Sequence, residues 1–156
     1  MQRLSPSDVS LILESPWSER TLARSRIIAS GRDTGRIVAG EVLEAAVRSA
    51  NHHLLFITDN TPFEEYLRIY LLDTEWNIVD SAIMGAMYST GIFSGLELIS
   101  PNSLQFQFFG GIIWTLELLE HPVASLPFSD PKGVSRPFSL HKRFKIHGRP
   151  YPGDWK

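Results

Sequence analysis

Apolar and polar positions alternate with a period of two over most of residues 66–119, where YLRIYLLDTEWNIVDSAIMG, GLELISPNSLQFQFF and IWTLELLE follow one another with turn residues between them. A period of two places successive side chains on opposite faces of an extended chain, and consecutive antiparallel strands joined by short turns make a β-meander. In the first of these strands Tyr66, Arg68, Tyr70 and Leu72 share one face, while Leu67, Ile69 and Leu71 share the other. Both faces are mostly apolar, so the strand is expected at the centre of a sheet, one face in the core and the other covered by a helix, a loop or a partner. Residues 73–77 read as a turn. In the next strand Ile78, Asp80 and Ala82 alternate with Val79, Ser81 and Ile83. The glycine-rich GAMYSTGIFSG then reads as a bend across one end of the fold.

Pro followed by Asn in SPNS, residues 100–103, predicts a tight hairpin. Its register turns Leu104, Phe106 and Phe108 inward with Gln105 and Gln107 outward, and after Gly110 and Gly111 sets Trp114, Leu116 and Leu118 against Thr115 and Glu117. Upstream, Pro6 and Pro16 bracket SDVSLILES, for which Ser7 as a cap predicts a short helix, with a strand of the alternating kind as the alternative. SERTLARSRIIA, residues 18–29, has a Ser cap but ends in β-branched residues that suit a strand equally. GRDTG, residues 31–35, reads as a turn. IVAGEVLEAAVRS and NHHLLFITDN read as two strands joined around residues 50–52, with helix as the alternative for VLEAAV. From residue 122 the chain is Pro-rich and holds one more strand, FSLHKRFKIHG, before an extended end. The fold expected is mainly β with minor α: an antiparallel meander forming a barrel or sandwich, one domain over residues 1–156. The Pro-rich, basic segment 122–156 is packed on that body or extends from it.

Composition adds three constraints. Seventeen aromatic residues supply enough large apolar surface for a core without covalent staples. The absence of cysteine suits a reducing compartment and excludes thiolate catalysis and Cys-based metal sites. No export signal and no run of about 18 apolar residues is visible, so the expectation is a cytoplasmic protein with no membrane span. Charge is uneven: residues 1–50 hold seven Arg against six acids, residues 51–130 ten acids against Arg68 alone, and residues 131–156 seven Lys and Arg against Asp154. An acidic body with a basic tail either neutralises itself or meets a basic partner.

Candidate chemistry is sparse. The histidines at 52, 53, 121, 141 and 147 make no metal motif, and His52 and His53 in one strand point to opposite faces. Asp59, Glu64, Glu65, Asp73, Glu75 and Asp80 flank the central strand without forming a calcium loop, and read as solvated turns or a binding surface more readily than as a catalytic pair. No G-x-S-x-G, phosphate-binding loop or dinucleotide fingerprint occurs. The tail interleaves Lys132, Arg136, Lys142, Arg143, Lys145 and Arg149 with Phe138, Phe144 and Tyr151, which suits a nucleic-acid strip, but its alternation fits an edge strand guarded by lysines better. Neither cofactor nor metal is expected.

The strand rhythm of LLFITDNTPFEEYLRIYLLDTEWNIVDSAIMG, YSTGIFSGLELISPNSLQFQFFG and WTLELLE, over roughly residues 52–120, resembles small bacterial β-rich proteins that include the immunity proteins accompanying polymorphic toxins. That resemblance implies a cytoplasmic protein that blocks a cognate toxin by surface complementarity, with acids set against a basic active site. The expected interface comprises Asp59, Glu64, Glu65, Asp73, Glu75 and Asp80, with Trp76 and Tyr88 as aromatic anchors. Two alternatives differ in class: a barrel enclosing a small apolar ligand between Tyr70, Phe106, Phe108 and Trp114, and an enzyme using Glu64 or Asp80 with a histidine. Oligomeric state is not specified by the sequence.

Overall fold

The strand expected to be apolar on both faces, β7 (Leu67–Leu72), is buried at every residue. The computed structural model describes residues 1–61, 64–85, 91–127, 129–137 and 139–148, and among these the chain forms antiparallel strands and no helix. Six strands build a central sheet in the order β1 (Gln2–Arg3), β5 (Val42–Ser49), β6 (His52–Thr58), β7, β8 (Ile78–Met84) and β12 (Val134–Ser135). A four-stranded sheet runs β13 (His141–His147), β11 (Trp114–Ala124), β10 (Ser103–Gln107) and β9 (Ser94–Ser100). A three-stranded sheet holds β2 (Val9–Ser15), β3 (Arg24–Ala29) and β4 (Arg32–Ala39).

Each face of the central sheet meets one of the other sheets. Leu67, Ile69 and Leu71, with Leu54 and Phe56 from β6, pack against Leu104, Phe106, Trp114, Leu116 and Phe144 of the four-stranded sheet. Tyr70 and Leu72, with Leu55 and Ile57, pack against Val9, Ile27 and Val38 of the three-stranded sheet. The covering layer anticipated for β7 is therefore another sheet of the same chain, and the protein is a three-layer arrangement with two apolar seams. Burial of each such aliphatic or aromatic side chain stabilises the fold by about 1.5–3 kcal/mol before chain entropy is counted. Phe56 and Phe106 meet edge to face across the first seam, with ring centroids 5.4 Å apart.

The open sheets correct the barrel expectation. Tyr70 lies in one seam and Phe106, Phe108 and Trp114 in the other, so the four aromatics do not enclose a common cavity. The N-terminal helix is replaced by β2. Val9 and Leu11 turn toward the second seam while Ile12 stands 55% exposed, a two-residue alternation that a helix cannot satisfy. The turn expected to start a helix is closed differently, with Asp8 N–H donating to Ser5 O at 2.9 Å and Ser5 N–H to Asp8 Oδ2 at 2.8 Å. Residues 32–35, read as part of a turn, belong to β4; the turn itself falls at Ser30 and Gly31.

The hairpin over SPNS is present, with Leu104 opposite Leu116 and Phe106 opposite Trp114 on the following strand. Strand β11 continues through Pro122 because its ladder with β13 breaks there: Leu118 pairs with Phe144 and the next pair is Val123 with Lys142. A proline that donates no backbone hydrogen bond is tolerated inside such a bulge. β13 is an edge strand, as anticipated, with Lys142 turned inward and buried. Two-residue pairing of β12 with Met84 and Ile83 attaches the segment after β11 to the central sheet.

Gly40 makes the corner between β4 and β5. Its φ of 115° is open to glycine but strained for other residues, and a Cβ would collide with the buried Ile57 side chain. Gly40→Ala is expected to lower stability by more than about 1 kcal/mol, read as a lower urea midpoint at unchanged denaturant slope.

Candidate functional sites at the ends of the central sheet

β7 separates the acids expected to form one interface. Asp59, Glu64 and Glu65 precede the strand and Asp73, Glu75 and Trp76 follow it, so six extended residues place the two groups roughly 20 Å apart at opposite ends of the sheet. Tyr88 lies outside the described residues.

At the first end, Asp59 is buried and forms a two-point ion pair with Arg68, Nε to Oδ1 at 2.8 Å and Nη2 to Oδ2 at 3.1 Å. Burial works against the Arg68 charge, and the hydrogen bonds and charge of Asp59 more than restore it. Glu65 folds back so that Oε1 accepts from the backbone N–H groups of Asp59 and Asn60 at 2.7 and 2.8 Å, and burial pushes its carboxyl up. These two acids close the β6–β7 connection from within. Glu64 contributes its carbonyl to the Thr61 hydroxyl, and its carboxylate has no cation within reach among the described residues.

At the second end, Asp73 Oδ1 accepts from the N–H groups of Glu75 and Asn77, both at 2.9 Å. The backbone donor of Asn77 holds the Asp73 carboxyl below its ordinary value. Trp76 sits at φ 65°, a conformation costly for a bulky residue, and three contacts hold it: the Asp73 turn, Arg36 Nε on its carbonyl at 2.9 Å, and the His53 ring stacked at 4.0 Å. Trp76 is thus a half-buried lid on the second seam. Glu75 is exposed.

Asp80, the third residue of β8 and opposite Leu71, lies toward the second end but points into the protein. Its side chain, 6% exposed, replaces backbone partners at the broken β11–β13 ladder, with Oδ2 accepting from Arg143 N–H at 2.7 Å and both oxygens facing Arg136 Nη1. Arg136 Nη2 donates to Phe144 O at 2.6 Å, its guanidinium lies 4.5 Å above the Phe144 ring, and its Nε binds Asp130 at 3.1 Å. Lys142 Nζ adds a bond to Ser129 Oγ at 3.2 Å and lies 3.9 Å from Asp130. Two carboxylates and two cations therefore fasten the basic C-terminal segment to the acidic body. Arg136 and Lys142 are turned to the interior, away from any nucleic-acid strip.

Residues not singled out by pattern complete both ends. Ala23 O accepts from Gly40 N–H at 2.8 Å, and Thr58 Oγ1 donates to Glu44 at 2.9 Å. These contacts bring the loop 16–23, the Gly40 corner and the β6–β7 connection onto one surface. On it Trp17 is 51%, Leu22 46% and Val42 37% exposed. Exposed large apolar residues on the loop 16–23 and at the start of β5, at the same end of the sheet as Glu41, Glu44 and Glu64, were the missing signal: Trp17 follows Pro16, and Glu41 and Glu44 read as helix formers. At the opposite end, a cleft of about 440 Å³ opens between the β5–β6 turn and the ladder break, lined among others by His52, Leu71, Asn102, Leu118, Glu120 and Arg143. His52 and His53 do face opposite sides, one in this cleft and the other against Trp76. Burial holds both imidazoles below their ordinary 6.5, and Arg143 adds to the effect at His52. No group of three His, Asp or Glu side chains is arranged to hold a metal ion among the described residues, and no helix among them is long and apolar enough to cross a membrane.

Removing one member of the buried pair leaves the other charged and unpaired. Arg68→Met is expected to cost about 3–5 kcal/mol, and Arg68→Met with Asp59→Leu to recover most of that loss, as measured by urea unfolding. The depressed histidines set a pH dependence. Below 6.5 the unfolded chain binds protons that the folded rings resist, so stability is full above that pH and falls with acidification. His53→Phe keeps the stack on Trp76 and should flatten the acid limb of unfolding midpoint against pH. Comparing the two proteins cancels the opposing slope from Glu65, whose raised carboxyl favours the folded state in acid.

Comparison with protein-family models, curated proteins and solved structures finds no match for the chain, so any function must be argued from these surfaces themselves.

Proposed function

We propose that the chain is a non-catalytic protein-binding module whose partner meets the end formed by loop 16–23, the Gly40 corner and the β6–β7 connection. The observation that carries this reading is that exposed Trp17, Leu22 and Val42 stand at the same end of the sheet as Glu41, Glu44 and Glu64, whose carboxylates have no ion-pair partner among the described residues. An aromatic and aliphatic centre with a charged rim is the composition of an interface whose affinity resides in a few desolvated anchors. Arg3, which shares a groove with Glu41 and Glu44, and Arg20 and Arg24 stand at this end against Glu19, Glu41, Glu44 and Glu64, an excess of one acid. A basic partner is therefore favoured, with the carboxylates steering encounter and the apolar residues slowing release.

This surface refines the expected one. Asp59, Glu65 and Asp80 are engaged within the protein, and Trp76 covers a seam, so the anchor moves to Trp17 while the partner chemistry is unchanged. Together with the resemblance to immunity proteins, the reading is a factor that neutralises a cognate bacterial toxin domain by covering its basic active surface.

The test is isolation of the tagged chain from the cell that makes it, identification of bound proteins by mass spectrometry, and titration of the recovered partner against purified variants. The expected result is one stoichiometric partner with a basic surface, bound at least about 30-fold more weakly by Trp17→Ala. Association of the unaltered chain should slow steeply with salt, and Glu41→Lys with Glu64→Lys should slow it at low salt and remove that salt dependence. A partner whose binding ignores all three substitutions, or the absence of any stoichiometric partner, overturns the proposal.

A further inference from the structure

We propose that the cleft between the β5–β6 turn and the break in the β11–β13 ladder binds a small monocarboxylate with an apolar tail, its carboxylate on Arg143 and its tail against Leu118 and Leu119. This site lies at the opposite end of the central sheet from the protein-binding surface and does not depend on it.

Three observations support the assignment. Arg143 is positioned by its own backbone, whose N–H is held by the buried Asp80 at 2.7 Å, yet its guanidinium makes no hydrogen bond or ion pair with a described residue. The nearby carboxylates of Asp80 and Asp130 are already occupied by Arg136. A guanidinium with its fork unfilled at the wall of a cleft matches a carboxylate in shape and charge. Next to it, burial and the charge of Arg143 hold the His52 imidazole below its ordinary value, which favours the uncharged ring as a hydrogen-bonding partner. Asn102 receives the Ser100 hydroxyl on Oδ1, which leaves its amide hydrogens as donors.

The floor sets the rest of the ligand. Half-buried Leu118 and Leu119 present apolar surface beneath these polar groups, and the volume of about 440 Å³ lies within the roughly 300–1,000 Å³ typical of small-molecule sites. Glu120 on the rim leaves the cleft with one cation against one anion, which disfavours phosphates and other multiply charged ligands.

The experiment is a ¹⁵N-resolved NMR titration of the unaltered chain with sodium isovalerate, against sodium acetate, sodium phosphate, sodium chloride and 3-methylbutan-1-ol at matched ionic strength. Expected are saturable shifts at His52, Asn102, Leu118 and Arg143 with isovalerate, and binding about tenfold weaker for acetate, which lacks the tail. Chloride and the neutral alcohol should give no saturable shift, and Arg143→Gln should abolish the isovalerate response. Equal response to chloride or the alcohol, preference for phosphate, or an undiminished response in Arg143→Gln overturns the proposal. The ligand series on the unaltered chain decides the matter without any variant.

Discussion

The structure depends on a β-strand pair, β6 with β7, that is apolar on both faces. A single covering sheet would leave half of this surface in water, so two are required, and the chain supplies them from its two flanks: β2 to β4 from the N-terminal side, β9 to β11 and β13 from the C-terminal side. A parallel sheet in an α/β protein meets the same demand with helices. Here all the layers are antiparallel sheets, and the two seams are filled by different residue sets: aromatic and large aliphatic groups toward the four-stranded sheet, mainly Val, Ile and Leu toward the three-stranded one.

Polar groups follow from that architecture. Edges, corners and ladder breaks leave backbone groups without strand partners, and the acids of the central segment repeatedly fill the vacancy. Glu65 accepts two backbone N–H groups after β6, Asp73 two in the β7–β8 turn, and Asp80 the N–H of Arg143 where β11 bulges. A buried carboxylate then requires a cation, and Arg68 and Arg136 are the consequence. The charge asymmetry between the middle of the chain and its tail is thus partly internal bookkeeping between Asp80, Asp130, Arg136 and Lys142.

Strand existence was legible in the sequence wherever alternation and turn chemistry agreed, as in the SPNS hairpin and in β7 with its turn at 73–77. It failed at β2, where a serine between two prolines imitates a helix cap and only pairing with β3 decides the outcome. The identity of the second cover was not legible, because a doubly apolar strand states a need without naming what meets it. The candidate sites were the least legible. A carboxylate in a loop looks the same in sequence whether it faces water or an arginine nine residues away, as Asp59 does, or a backbone amide 63 residues away, as Asp80 does. Trp17 and Trp76 look equally available until His53 and Arg36 are seen to hold the second.

Arg68 is the one charged residue in β7, and its placement has a consequence for how the strand finds its alignment. With leucine, isoleucine or tyrosine at every other position, sliding β7 by one residue would exchange two apolar sets at little hydrophobic cost. The same slip would carry the guanidinium from Asp59 into the seam lined by Phe56, Phe106 and Trp114, an uncompensated charge among rings. The ion pair thereby acts as an indexing pin, excluding the neighbouring alignment in a strand whose apolar pattern alone would tolerate both.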